Sequence, residues 1–140
     1  MKIKLFLLLF TFSLNAFGQY DADAVRLSKM EYMKYAQRTD CQNSEFHSSL
    51  EHRICLNLEF QKVDSLLNLK FTKLCSTLDE PTVKKQIIEY HENWIEYRRL
   101  QSKLVSKGYR GHLLGIVYLD CMVKMTERRI EDVDFLMKNI

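Results

Sequence analysis

Two thiols and two imidazoles fall close together in the chain, at Cys41, His47, His52 and Cys55. Such a set can do one of two things. Oxidised, Cys41 and Cys55 would close a loop of about fifteen residues, for which chain entropy gives roughly 3 kcal/mol. Reduced, the four side chains are of the types that zinc accepts. No C-x2-C or H-x3-H core accompanies them, so the disulfide is the expected state and zinc the alternative. A second group comprises Asp64, Asn68, Arg98, Thr126 and Arg129. It offers a carboxylate, an amide, a hydroxyl and two guanidiniums, the parts of an ion-pair network. Neither group contains a nucleophile beside a base or a pair of carboxylates tuned apart. The expectation is a non-enzyme with no catalytic residue, no cofactor and no metal.

Elements must place these residues, and glycine and proline limit the choice. The 140 residues hold one proline and four glycines, too few for the tight turns of an antiparallel sheet. Apolar residues recur instead at helical spacing. One stripe is Leu56, Phe60, Val63, Leu67, Phe71, Leu74 and Leu78. A second is Val83, Ile87, Tyr90, Trp94, Tyr97, Gln101 and Leu104, and a third is Leu119, Val123, Thr126, Ile130, Val133 and Met137. Ser48 and Glu51 have the spacing of a capping box. Pro81 suits a first helical turn, with Asp79 or Glu80 as its cap, and Gly108 suits the left-handed residue after a helix end. These marks predict helices over 49–77, 82–107 and 113–138. Val25, Leu27, Met30, Met33 and Tyr35 would allow a further short helix within 22–37. The fold expected is an all-α, disulfide-stapled, up-and-down bundle.

The first eighteen residues read as a secretory signal: Lys2 and Lys4, an apolar run from Leu5 to Leu14, then Ala16 and Gly18 at the cleavage site. Cleavage is expected after Gly18, leaving an extension over 19–40 and a helical domain over 41–140. The location implied is periplasmic or secreted, and no cysteine near residue 18 offers a lipid anchor. Losing two lysines leaves 19 bases against 18 acids, so no global charge draws the chain to nucleic acid or anionic lipid. No membrane span is expected in the mature chain.

Folding the helices back on one another brings Asp64, Arg98, Thr126 and Arg129 to within about one helical turn of the same level. An Asp64–Arg98 ion pair and Asn68–Arg129 contacts are therefore expected, setting helix register rather than doing chemistry. The same arithmetic leaves Cys75 and Cys121 roughly 20 Å apart along the axis, too far to bond, so both are expected as thiols. Tyr90, Trp94 and Tyr97 are placed on the core stripe as packing. Glu89, Glu92 and Glu96 form an acidic edge that could meet a basic partner. Lys103, Lys107 and Arg110 make a small basic end, too few for nucleic acid. The irregular segments 40–48 and 107–112 are the candidate contact surfaces.

Three clusters in order carry a resemblance: Cys55 with Val63-Asp64, Leu67-Asn68 and Phe71; then Trp94-Ile95-Glu96-Tyr97-Arg98; then Gly111, Cys121, Thr126 and Arg129. Their order and spacing resemble the LprI-like lysozyme-inhibitor family over residues 41–133. The chain departs from the family pattern in places. Phe71 stands for a tyrosine, His91 for a glutamine and Arg99 for an acid; Ser102 lies near a missing cysteine, and Arg110-Gly111 shortens a glycine pair. The resemblance implies a small exported helical domain whose motif core is Leu67, Trp94, Tyr97, Gly111 and Cys121. It implies a non-enzymatic protein that binds lysozyme and blocks the muramidase cleft. The alternative is an envelope-associated module that binds another exported protein.

Overall fold

The computed structural model describes residues 22–42 and 45–140. The expected signal segment and its cleavage point after Gly18 lie outside the described residues. Five helical elements follow in order: α1 (Ala22–Ser28), a 3₁₀ segment (Glu31–Arg38), α2 (Ser49–Thr77), α3 (Pro81–Ser106) and α4 (Gly111–Asn139). No strand occurs among the described residues. The three long helices lie within two residues of the expected bounds. The N-terminal helix breaks at residues 29–30 and continues as a 3₁₀ segment.

Local signals explain the helix ends. Ser48 Oγ accepts a hydrogen bond from the Glu51 amide at 3.2 Å, and the Glu51 carboxylate accepts one from the His47 amide at 2.8 Å. These two bonds satisfy orphan donors at the start of α2. Pro81 opens α3 with Glu80, one of the two expected residues, at the N-cap, though its side chain makes no cap bond. Gly108 and Gly111 carry the chain from α3 into α4 with φ of 101° and 58°, values that side chains strain to adopt.

The helix α4 packs along α2, and α3 lies mainly against α4, touching α2 only lightly. Two apolar clusters fill the interior. Leu56 and Phe60 of α2 meet Leu119, Met122 and Val123 of α4 and Leu27 of α1. Further along, Leu67, Phe71, Leu74 and Cys75 meet Val133. These are the predicted stripes of α2 and α4. The prediction for α3 is corrected: its buried residues are His91, Ile95, Arg98, Ser102 and Ser106. Tyr90, Tyr97 and Leu104 face outward, Tyr97 with 58% of its surface exposed. Arg98 can turn inward because the other helices supply its partners, which apolar periodicity alone does not register.

Candidate functional site

Between the two apolar clusters all four α-helices contribute to one buried polar layer. Arg98 of α3 has no exposed surface. Its Nη1 donates to Asp64 Oδ1 of α2 and to Thr126 Oγ1 of α4, both at 2.9 Å. Its Nη2 donates to Asp23 Oδ2 of α1 at 3.4 Å. Asp23 also accepts from Arg99 Nε at 2.8 Å and from Arg26 Nη2 at 3.0 Å. Asn68 Nδ2 donates to the second oxygen of Asp64 at 3.5 Å, and Thr126 Oγ1 donates to the Met122 carbonyl at 2.7 Å. Arg99 reaches outward to Glu96. Two buried carboxylates thus face a cluster of guanidiniums, which satisfies charges that would be costly alone.

Burial and the neighbouring Asp23 carboxylate push Asp64 up to about 7, against the pull of Asn68 and Arg99. Burial and the adjacent Arg99 lower Arg98 to about 9. Arg98, Asp64 and Thr126 are sealed by packing, whereas Asp23 and Arg99 also line a cleft. The bonds join four helices at one level.

One helical turn away, Arg129 is 1% exposed and its guanidinium finds no hydrogen-bond acceptor. It stacks instead on Tyr90, 4.1 Å from the ring centre, and on Trp94 at 5.4 Å. Arg98 lies over the same Trp94 ring at 4.9 Å. Trp94 therefore lies against two buried guanidiniums, and cation–π attraction, with a 3.9 Å ion pair to Asp132, takes the place of the hydrogen bonds that Arg129 lacks. The expected Asn68–Arg129 bond is absent: Asn68 Oδ1 and the Arg129 nitrogens all lack hydrogen-bond partners.

His91 stacks on Phe71 at 3.8 Å and on Trp94 at 5.7 Å. Burial and the nearby Arg129 charge lower it to about 4 from 6.5. A depressed histidine favours the neutral, folded form; this contribution is complete above 6.5 and is lost as pH falls towards 4. The shift corresponds to about 3 kcal/mol. His91→Phe keeps the stack and removes the titration. Between pH 7 and 4.5 its melting temperature should fall less than that of the wild type, and two parallel curves would contradict the assignment.

The motif residues divide. Leu67 is in the core, Trp94 and Cys121 are half-buried, and Gly111 is exposed in the α3–α4 turn. Tyr97 is a correction, since it lies on the surface. Cys41 and Cys55 form the disulfide, with Cα atoms 5.4 Å apart, while Cys75 and Cys121 are thiols. The bond consumes two of the four side chains weighed for zinc, and His52 stacks on Phe46 at 4.4 Å.

Two residues escaped the sequence reading. Asn57, fully buried, donates to the Leu27 carbonyl at 2.9 Å and to Tyr32 Oη at 2.6 Å, tying the N-terminal elements to α2. Asp23 supplies the second carboxylate. A signal for it existed: Arg99 occupies the position of a family acid, so adjacent arginines called for a carboxylate from elsewhere.

The first turns of α2 and of α4 meet at one end of the bundle. Arg53 of α2 lies so close to Gly115 of α4 that a Cβ there would fall 2.1 Å from its Nε. A cleft of about 790 Å³ opens at the same end, with Leu27, Met30 and Leu119 in its floor and Arg53, Lys103 and Lys107 at its rim.

Comparison with curated proteins and with solved structures finds no match. Comparison with family models matches residues 41–133 to the family described as lysozyme inhibitor LprI. The matched span holds the disulfide, α2, α3, most of α4 and every member of the polar layer except Asp23 and Arg26. With about two thirds of its length matched in this way, the chain belongs to the lysozyme inhibitor LprI family.

Proposed function

We propose that this protein is exported, its signal removed after Gly18, and that it binds a lysozyme without catalysing a reaction, its loop end covering the muramidase cleft. Family membership is the observation that carries this reading. Glycosidases of this kind flank the scissile bond with two carboxylates. The turn Lys107–His112 offers matching chemistry. Tyr109 is exposed, Arg110 presents a planar fork of donors, and Gly108 and Gly111 shape the turn that displays them. Exposed Leu113 and Leu114 add an apolar border. The Cys41–Cys55 bond fixes Cys41 against the first turns of α2, which lowers the ordering cost of binding there. The polar layer then acts as the frame on which this end is mounted.

A cell-wall lysis assay tests the reading. Purified protein at micromolar concentration should suppress lysis by lysozyme. Arg110→Glu and Tyr109→Ala should each weaken inhibition about tenfold, a loss of roughly 1.4 kcal/mol. Their melting curves should match the wild type. Full lysis in the presence of the wild type would remove the inhibitor reading and leave the envelope-associated binding module. Undiminished inhibition by both variants would move the contact surface elsewhere.

A further inference from the structure

Helix α3 is turned inside out relative to an ordinary surface helix. Its inner face holds His91, Arg98, Ser102 and Ser106, while its outer face carries Tyr90, Tyr97, Leu100 and Leu104. These four residues recur at intervals of seven, three and four, the seam of a two-helix coiled coil. Tyr97, Leu100 and Leu104 each expose more than half of their surface, at 58%, 56% and 59%. Successive positions of this seam lie within about 80° of one another around the axis, facing away from the core except where Tyr90 covers Arg129. Contiguous apolar surface on a charged protein marks a place where something docks.

Charge along one flank of the seam specifies the occupant. Glu89 and Glu96 border its first half, and Lys103 borders its second. Two copies of α3 laid antiparallel about a twofold axis between Tyr97 and Leu100 would bring Glu96 of each against Lys103 of the other. Such an arrangement is self-complementary, as an isologous contact requires, and in antiparallel coiled coils the same flank of each helix meets. We infer that the outer face of α3 is an antiparallel homodimer interface, with Tyr97 and Leu100 at its centre. The seam residues Tyr97 and Leu100 lie outside the turn Lys107–His112, although Lys103 also stands at the cleft rim, so Leu100→Glu reports on dimerisation and Arg110→Glu on lysozyme binding.

Sedimentation equilibrium of the purified protein, with the same samples assayed for inhibition, tests the inference. Twice the monomer mass is expected at micromolar concentration. Leu100→Glu should yield a monomer with an unchanged helical spectrum, since Leu100 leaves the core untouched. Glu96→Lys and Lys103→Glu should each raise the dimer dissociation constant about tenfold by setting like charges face to face. The double exchange should restore association. A wild-type monomer throughout, a dimer indifferent to Leu100→Glu, or failure of the double exchange to restore association would each overturn the inference. So would a monomer that binds phospholipid vesicles through this face.

Discussion

Replacing Arg98 with alanine should destabilise the protein by about 3–5 kcal/mol, the range seen when one partner of a buried ion pair is removed. The reason lies in what stays behind. Asp64 and Asp23 are 1% and 2% exposed, and both lose a donor, as does Thr126. For a chain of this size the melting temperature should drop by roughly 10–20 °C. Asp64→Asn added to Arg98→Ala should recover part of the loss, because it removes one stranded charge. A melting curve unchanged by Arg98→Ala would show that the layer does not hold the helices together. Simple additivity in the double variant would show that the two groups do not act as a pair.

Reducing the Cys41–Cys55 bond has the second largest expected effect. The cysteines lie 14 positions apart, and opening a loop of that size costs about 3 kcal/mol in the chain-entropy account. The bond cross-links α2 to the chain that precedes it, a segment also held through Asn57 and Tyr32, by Leu27 in the core and by Asp23 in the polar layer. Mild reductant should lower the melting temperature by roughly 10 °C and leave the helical spectrum at room temperature largely intact. Thiol titration in denaturant should find two reactive groups before reduction, Cys75 and Cys121, and four after it. A melting temperature indifferent to reductant would mean that the tie contributes nothing to the fold.

Much of this architecture can be read from residue order because several signals agree. In α2 and α4 the apolar stripe, the Ser48 cap and the turn glycines all point one way, and those helices face as expected. Helix α3 carries two competing faces. Tyr90, Tyr97 and Leu104 satisfy the hydrophobic period, whereas His91, Arg98 and Ser102 satisfy it only if other helices bring carboxylates and a hydroxyl. Apolar patterning ranks the first face higher; the ion pairs of Arg98 decide for the second. Once Arg98 turns inward, Tyr97 must turn out.

The polar layer was legible in its Asp64, Arg98 and Thr126 members, because fold-back arithmetic levels residues on antiparallel rods. Asp23 was not, since it enters from a short helix whose placement depends on Asn57 and on the two arginines it meets. Arg129 illustrates the opposite limit. Its level in the bundle was predictable, but its contact with Tyr90 and Trp94 in place of Asn68 depends on side-chain rotation that spacing does not encode.

Calorimetric titration of the protein into lysozyme, with and without a saturating chitooligosaccharide in the enzyme's cleft, tests the central claim most directly. If the loop end occupies that cleft, the apparent dissociation constant should rise in proportion to the saccharide concentration, as competition for one site requires. An affinity indifferent to the saccharide would place the contact away from the cleft, and the absence of any binding heat together with full lytic activity would contradict the inhibitor reading.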